Sequence, residues 1–207
     1  MSALSQILEH KIVAIIRGAE PGDVLKIAKA LYEGGIKVLE VTFNSPNALN
    51  VVNELSAKLG NELLIGMGTV LDAATARQAI RAGAKFIISP SFDIETIQQT
   101  KELGAVSIPG AFTPTEIVNA FNAGGDIVKV FPASSNVNYI TEVRAPLSHI
   151  PLMPTGGITL ENINEFQKAG AVAFGIGTAL VNTREKMTGE YLRQLTSKAK
   201  QFVQAIA

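Results

Sequence analysis

The chain has 207 residues, 47% hydrophobic and 17% charged, a balance that excludes disorder and supplies enough apolar surface for a sizeable core. Lys+Arg and Asp+Glu both number 18, so no global basic field recruits nucleic acid, and any bound anion must be held by a local site. With no cysteine and only two histidines, His10 and His149, disulfides, thiolate catalysis and a Cys- or His-ligated metal are not expected; both histidines read as surface or rim residues.

Residues Met1-Ser2-Ala3-Leu4-Ser5 lack the charged and apolar stretches of a secretory signal, and no apolar run approaches the roughly 18 residues of a membrane helix. A cytoplasmic protein without a membrane partner is expected. A short helix is predicted over Ser2–Glu9. Then eight short apolar runs follow: Val13–Ile16, Val38–Val41, Leu63–Ile65, Phe86–Ile88, Val106–Ile108, Ile127–Phe131, Pro151–Met153 and Ala171–Ile176. Between most of them lie stretches with helical spacing, such as Ile27, Ala28 and Leu31, or Ile117, Val118 and Phe121. Gly34-Gly35, Gly83, Gly104, Gly124-Gly125 and Gly170 fall where these stretches end, as helix stops do. Thr113-Pro114-Thr115-Glu116 spells an N-cap, a first-turn proline and a capping box, and Asp23, Asp72, Asp93 and Thr159 are further cap candidates. Ser134–Thr141 reads as a mobile loop, and Gly189–Ala207 as a closing helix.

Strands that are apolar throughout, alternating with helices, predict parallel β covered on both faces. Eight such units predict a compact α/β (β/α)8 TIM barrel formed by residues 1–207 as one domain. The competing open doubly wound sheet lacks a Gly-x-Gly-x-x-Gly at its first helix.

In barrels the chemistry collects at the carboxyl ends of the strands. That selects Arg17, Glu40, Thr42, Gly66-Met67-Gly68-Thr69, Ser89-Pro90, Pro109-Gly110, Lys129, Thr155-Gly156-Gly157 and Gly175-Ile176-Gly177-Thr178. Strand alternation puts Ile127, Lys129 and Phe131 on one face, and Val128 and Val130 on the other. A lysine facing the helix layer would strand its charge in apolar packing, so Lys129 is expected to point into the barrel. Desolvation there lowers its pKa, and a neutral amine attacks carbonyl carbon to give a Schiff base. Glu40, within Val38-Leu39-Glu40-Val41-Thr42, points inward by the same alternation. It can serve as a structural ion-pair partner of Lys129 or as a proton carrier. Gly156, Gly157, Gly175 and Gly177, with Thr178, suggest a phosphate cup in the loops after the last two strands. Arg17 can hold a carboxylate or phosphate. No cofactor or metal is expected. On residues alone three readings stand: a Schiff-base aldolase, a phosphosugar isomerase with Glu40 as base, and a non-catalytic barrel that binds an anionic metabolite.

Leu39-Glu40-Val41-Thr42, Gly66-Met67-Gly68-Thr69-Val70, Ile88-Ser89-Pro90, Ile108-Pro109-Gly110, Val128-Lys129-Val130-Phe131-Pro132-Ala133 and Pro154-Thr155-Gly156-Gly157-Ile158 together resemble the 2-keto-3-deoxy-6-phosphogluconate (KDPG) aldolases. That family includes the 4-hydroxy-2-oxoglutarate (KHG) aldolases and a galactonate-type counterpart. The resemblance implies a class I aldolase without cofactor, a homotrimer acting on a small-molecule 2-keto acid. It assigns the Schiff-base lysine to Lys129 and proton transfer to Glu40. By the same resemblance Thr69, Pro90 and Phe131 line a pyruvate pocket, Gly156, Gly157 and Thr178 lie on the phosphate side, and Arg17 matches a substrate-facing arginine found in some members only. One position departs: several gluconate-specific relatives carry an arginine where this chain has Asn44, which resembles the galactonate-type members and some broad-specificity ones and leaves the substrate's stereochemistry open.

Overall fold

A computed structural model describes residues 1–134 and 136–207, and strands alternate with helices along it. Helix α1 (Ala3–His10) leads into β1 (Ile12–Ile16), α2 (Pro21–Glu33), β2 (Val38–Thr42), α3 (Ala48–Leu59), β3 (Leu64–Gly68), α4 (Ala73–Arg81), β4 (Phe86–Ile88), α5 (Ile94–Glu102) and β5 (Val106–Ile108). The chain continues through β6 (Gly110–Ala111), α6 (Pro114–Asn122), β7 (Val128–Val130), α7 (Val137–Arg144), β8 (Leu152–Pro154), α8 (Ile163–Lys168), β9 (Phe174–Ile176) and α9 (Gly189–Ala205).

Every strand pairing is parallel. One sheet has the order β5-β4-β3-β2-β1-β9 and the other β6-β7-β8. The eight expected runs are all strands, but they do not form the single continuous ladder expected of a (β/α)8 barrel. Pro109, which has no N–H to give to a ladder, separates β5 from the short β6, and the pairing divides into six strands and three.

Alternation along the strands sorts side chains into two cores. Ile12, Ala14 and Ile16, Leu39 and Val41, Ile65 and Met67, and Val128 and Val130 pack outward against the helices. Val13, Val38, Leu64, Phe86, Ile88, Val106, Ile108, Ile127, Met153 and Ala173 form a second, inner core fed by both sheets. Ile7 of α1, fully buried, joins that inner core. At about 25 cal/mol for each Å² of apolar surface removed from water, such doubly covered strands are where burial contributes most.

Helix starts follow local chemistry. Ser2, Asp72, Asp93 and Thr113 accept a hydrogen bond from the backbone N–H three residues on, and Thr113 and Glu116 form the complete capping box. Asp23 is not a cap: α2 begins at Pro21, and Asp23 sits in its first turn, 2.8 Å from Lys26. Thr159 is not one either, since α8 begins at Ile163 with Asn162 before it. The helix-ending glycines Gly35, Gly83, Gly104, Gly124 and Gly170 take the left-handed backbone expected of them. The stretch Ser134–Thr141, read as a loop, is corrected: Asn136 accepts from the Tyr139 N–H, and α7 runs from Val137 with Ile140 and Val143 buried. Ser135 of that stretch lies outside the described residues.

Candidate active site

The inner core gives way, at the carboxyl ends of the strands, to a cleft of about 860 Å³. Arg17, Thr69, Pro90, Lys129, Phe131, Gly156, Gly157, Gly177 and Thr178 all line it. These nine residues come from six different strand ends, so only the fold brings them together.

Lys129 lies in the middle of β7, between Val128 and Val130, whose side chains point outward. Its own side chain therefore points inward and is 3% exposed. The amine stands 4.8 Å from the Phe131 ring. Burial holds its pKa below the ordinary lysine value; Glu40 opposes that shift, and the Arg17 charge adds to it.

Glu40 is the central residue of β2 and 1% exposed. Neither of its carboxylate oxygens has a hydrogen-bond partner among the described residues. The ion pair considered from the sequence does not form; Lys129 acts on Glu40 through its field. Burial pushes the Glu40 carboxyl up from the ordinary range, while Lys129 and Arg17 pull it back in part. A buried carboxylate with empty acceptors is costly unless something other than the protein uses them.

The glycines of Gly66-Met67-Gly68 have a packing reason that sequence reading did not supply. Both sit on the inner face of β3, in register with Glu40 and Thr42 of β2. A Cβ on Gly68 would fall on the Glu40 carboxylate and 2.7 Å from its Cγ. One on Gly66 would fall on the Phe86 ring. The missing side chains are the room in which Glu40 and Phe86 sit. Thr69 follows with φ of 57°, a left-handed backbone that β-branched residues rarely adopt, directly at the cleft wall.

Arg17 is held from three sides. Its Nη1 donates to Asn44 Oδ1 at 3.3 Å, its carbonyl accepts from Thr183 Oγ1 at 2.7 Å, and the following Gly18 N–H donates to Ser45 Oγ at 2.8 Å. Asn44, the departure from the arginine of some relatives, thus orients an arginine rather than replacing one. Gly156 and Gly157 turn left-handed one after the other (φ 87° and 78°) and bring bare backbone to the cleft. His149 is exposed, edge-on to Phe121, and His10 is half-buried in the last turn of α1.

Thr155, selected at its strand end, is buried, follows Met153 on the inward face, and fits because Gly175 beside it has no side chain. The structure adds residues not singled out from the sequence: Asn182, Thr183 and Arg184, in the loop between β9 and α9, also line the cleft, and no periodicity marks them. Among the described residues Arg17, Lys129 and Arg184 are the cations of this wall, and no carboxylate lines it. The arrangement is a buried amine and a buried carboxyl that feel one another's charge, beneath a cleft wall that carries cations.

The KDPG and KHG aldolase family model matches residues 4–195. The 2-dehydro-3-deoxy-6-phosphogalactonate aldolase of Escherichia coli (strain K12) is 31% identical over 196 residues, with 94% of this chain and 93% of that one covered. The 2-dehydro-3-deoxy-phosphogluconate aldolase of Treponema pallidum is 30% identical over 209 residues, covering 100% of this chain and 99% of that one. Among solved structures, KDPG aldolase from Legionella pneumophila, with pyruvate captured at low pH as a covalent carbinolamine, is 27% identical and superposes with a TM-score of 0.87 over 97% of each chain. The chain therefore belongs to the KDPG and KHG aldolase family.

Proposed function

We propose that this chain cleaves a 2-keto-3-deoxy-6-phospho sugar acid to pyruvate and glyceraldehyde 3-phosphate through a Schiff base on Lys129. The observation that carries the reading is the buried Lys129 amine beside the unpartnered Glu40 carboxyl, at the floor of a cleft walled by cations. The neutral Lys129 Nζ attacks the C2 ketone, and the carbinolamine loses water to give a protonated imine. Glu40 takes the proton of the 4-hydroxyl, directly or through a water. The C3–C4 bond breaks, its electrons pass to the imine as an enamine, and the aldehyde departs. Protonation at C3 and hydrolysis release pyruvate and the free amine. A proton carrier of this kind contributes roughly 10²–10⁴ in rate. Thr69, Pro90 and Phe131 line the pyruvate end in this reading. Gly156, Gly157, Gly177 and Thr178 face the phosphate, and Arg17 assists in holding the anion. With Asn44 at this position the substrate can be the gluconate or the galactonate epimer, and 4-hydroxy-2-oxoglutarate is the shorter alternative substrate.

Borohydride reduction in the presence of pyruvate tests this: mass spectrometry should find one reduced pyruvate adduct on Lys129, and Lys129→Ala should abolish both adduct and cleavage. No adduct, or full activity in Lys129→Ala, would overturn the assignment.

We read the two sheets as staves of one eight-strand barrel in a single domain. The Asp126, Lys129 and Phe131 N–H groups donate in turn to the Ser107, Pro109 and Ala111 carbonyls, so β5 and β6 act as one stave beside β7. A Thr155–Gly175 bridge supports closure between β8 and β9. A homotrimer is favoured by large apolar side chains left exposed after β2, β3, β4 and β6, namely Phe43, Leu71, Phe92 and Phe112 in the loops and Ile94 at the start of α5. No described helix is long and apolar enough to cross a membrane, which agrees with the cytoplasmic location we favour.

A further inference from the structure

The loop between β9 and α9 brings an arginine to the cleft that neither the strand-end rule nor the motifs single out. Arg184 lines the cleft wall, and among the described residues no carboxylate lines it with it. The Arg184 guanidinium has no hydrogen-bond or ion-pair partner among the described residues, although Glu185 is its neighbour in the chain and its carboxylate accepts instead from Asn182 Nδ2 at 3.4 Å. An arginine left unpaired at the mouth of a pocket is available to an anion from solvent.

Its backbone is not left to chance. The Arg184 N–H donates to Asn182 Oδ1 at 3.2 Å. Asn182 is itself clamped by Tyr191 of α9, whose hydroxyl accepts from the Asn182 N–H at 2.9 Å and donates to its carbonyl at 3.0 Å. Thr183, between them, donates to the Arg17 carbonyl at 2.7 Å. Because β1 and β9 are neighbouring strands, this bond ties the loop that carries Arg184 to the strand end that carries Arg17. The same loop begins at Gly177 and Thr178, next to the glycine turn after β8. Two guanidiniums and two glycine-containing turns thus converge on one side of the cleft.

We infer that Arg184 is a substrate-specificity residue that clamps the distal phosphate together with Arg17, and that Tyr191 is the positioning residue that presents it. The inference rests on the aldolase reading and deepens it. The fork of a guanidinium suits the paired oxygens of a phosphate dianion, and the hydrogen-bonded loop lowers the ordering cost of using a side chain exposed at the rim. A substrate of the same carbon skeleton without the phosphate gains nothing from it.

The test compares the 2-keto-3-deoxy-6-phospho sugar acid with the same sugar acid lacking phosphate, in wild type, Arg184→Ala, Arg184→Lys and Tyr191→Phe. Pyruvate trapping on Lys129 is run on every variant to report an intact site. In Arg184→Ala the ratio of kcat/KM for the phosphorylated over the unphosphorylated substrate should fall about 5- to 30-fold, as for one charge-assisted hydrogen bond at a partly solvated position. The loss should reside in KM, and inorganic phosphate should inhibit more weakly. Arg184→Lys should recover part of the ratio, and Tyr191→Phe should lower it by a smaller factor. Equal losses on both substrates, or an unchanged ratio with trapping intact, would overturn the inference while leaving the aldolase reading standing. A wild-type protein that traps no pyruvate would overturn both.

Discussion

Replacing Gly68 by alanine adds one methyl group and no charge, yet it should remove the chemistry. The new Cβ would lie 2.7 Å from Glu40 Cγ and on top of its carboxylate. Ordinary carbon–carbon contact begins at about 3.5 Å, so the methylene must retreat by about 0.8 Å and the carboxylate by more than about 1 Å. Misplacing a reacting group by about 1 Å costs roughly 10²-fold, and losing a general base costs roughly 10²–10⁴. Gly68→Ala should therefore lower kcat by about 10²-fold or more in an assay that couples pyruvate to lactate dehydrogenase. The amine is untouched, so borohydride should still trap pyruvate on Lys129. Overpacking should lower stability by about 1–3 kcal/mol, read from chemical denaturation. Gly66→Ala provides the contrast. Its methyl would strike the Phe86 ring in the inner core, so the damage should fall on stability with a much smaller loss of turnover. A Gly68→Ala protein that is folded and turns over at the wild-type rate would refute the claim that β3 is glycine-bearing in order to seat Glu40.

Glu40→Gln should change how stability depends on pH as well as abolishing turnover. Because burial raises the Glu40 carboxyl above its ordinary 4.5, the native state holds its proton where the unfolded chain has lost it. Its contribution is complete below the ordinary value and is lost as pH climbs through the raised one, so wild-type stability should decline across that window more steeply than that of Glu40→Gln in melts at matched pH. Activity should rise across the same window, as Glu40 ionises. Thr113→Ala removes the side-chain half of the α6 capping box and should cost about 1 kcal/mol, seen as a fall of about 2–4 °C in Tm.

Much of the architecture was legible because it rests on local rules. Period-2 alternation alone turned Lys129 and Glu40 inward, and each is nearly fully buried there. Asp72, Asp93 and Thr113 announced their helices because a side-chain oxygen three residues before an N–H needs no distant partner. What escaped was long-range. The reasons for Gly66 and Gly68 lie 20 or more residues away along the chain, at Phe86 on the next strand and Glu40 on the previous one. Arg184 depends on Tyr191 and on the carbonyl of Arg17, at opposite ends of the sequence. Helix α7 was read as a loop because Val137, Ile140, Thr141 and Val143 are β-branched and favour strands in isolation, while packing of Ile140 and Val143 decides the outcome. The division between β5 and β6 turns on a single imino acid whose effect depends on which neighbour it would have bonded.

Ile7 has a consequence for traffic. Helix α1 precedes β1, and Ile7 packs into the inner core with Val13, Val38 and Leu64, away from the cleft at the strands' carboxyl ends. In the proposed reaction the fragment tethered to Lys129 would then lie between that packed core and the aldehyde. The aldehyde should therefore leave before hydrolysis frees the amine. Run backwards, pyruvate must load first, and a synthesis kept short of pyruvate stalls however much aldehyde is supplied.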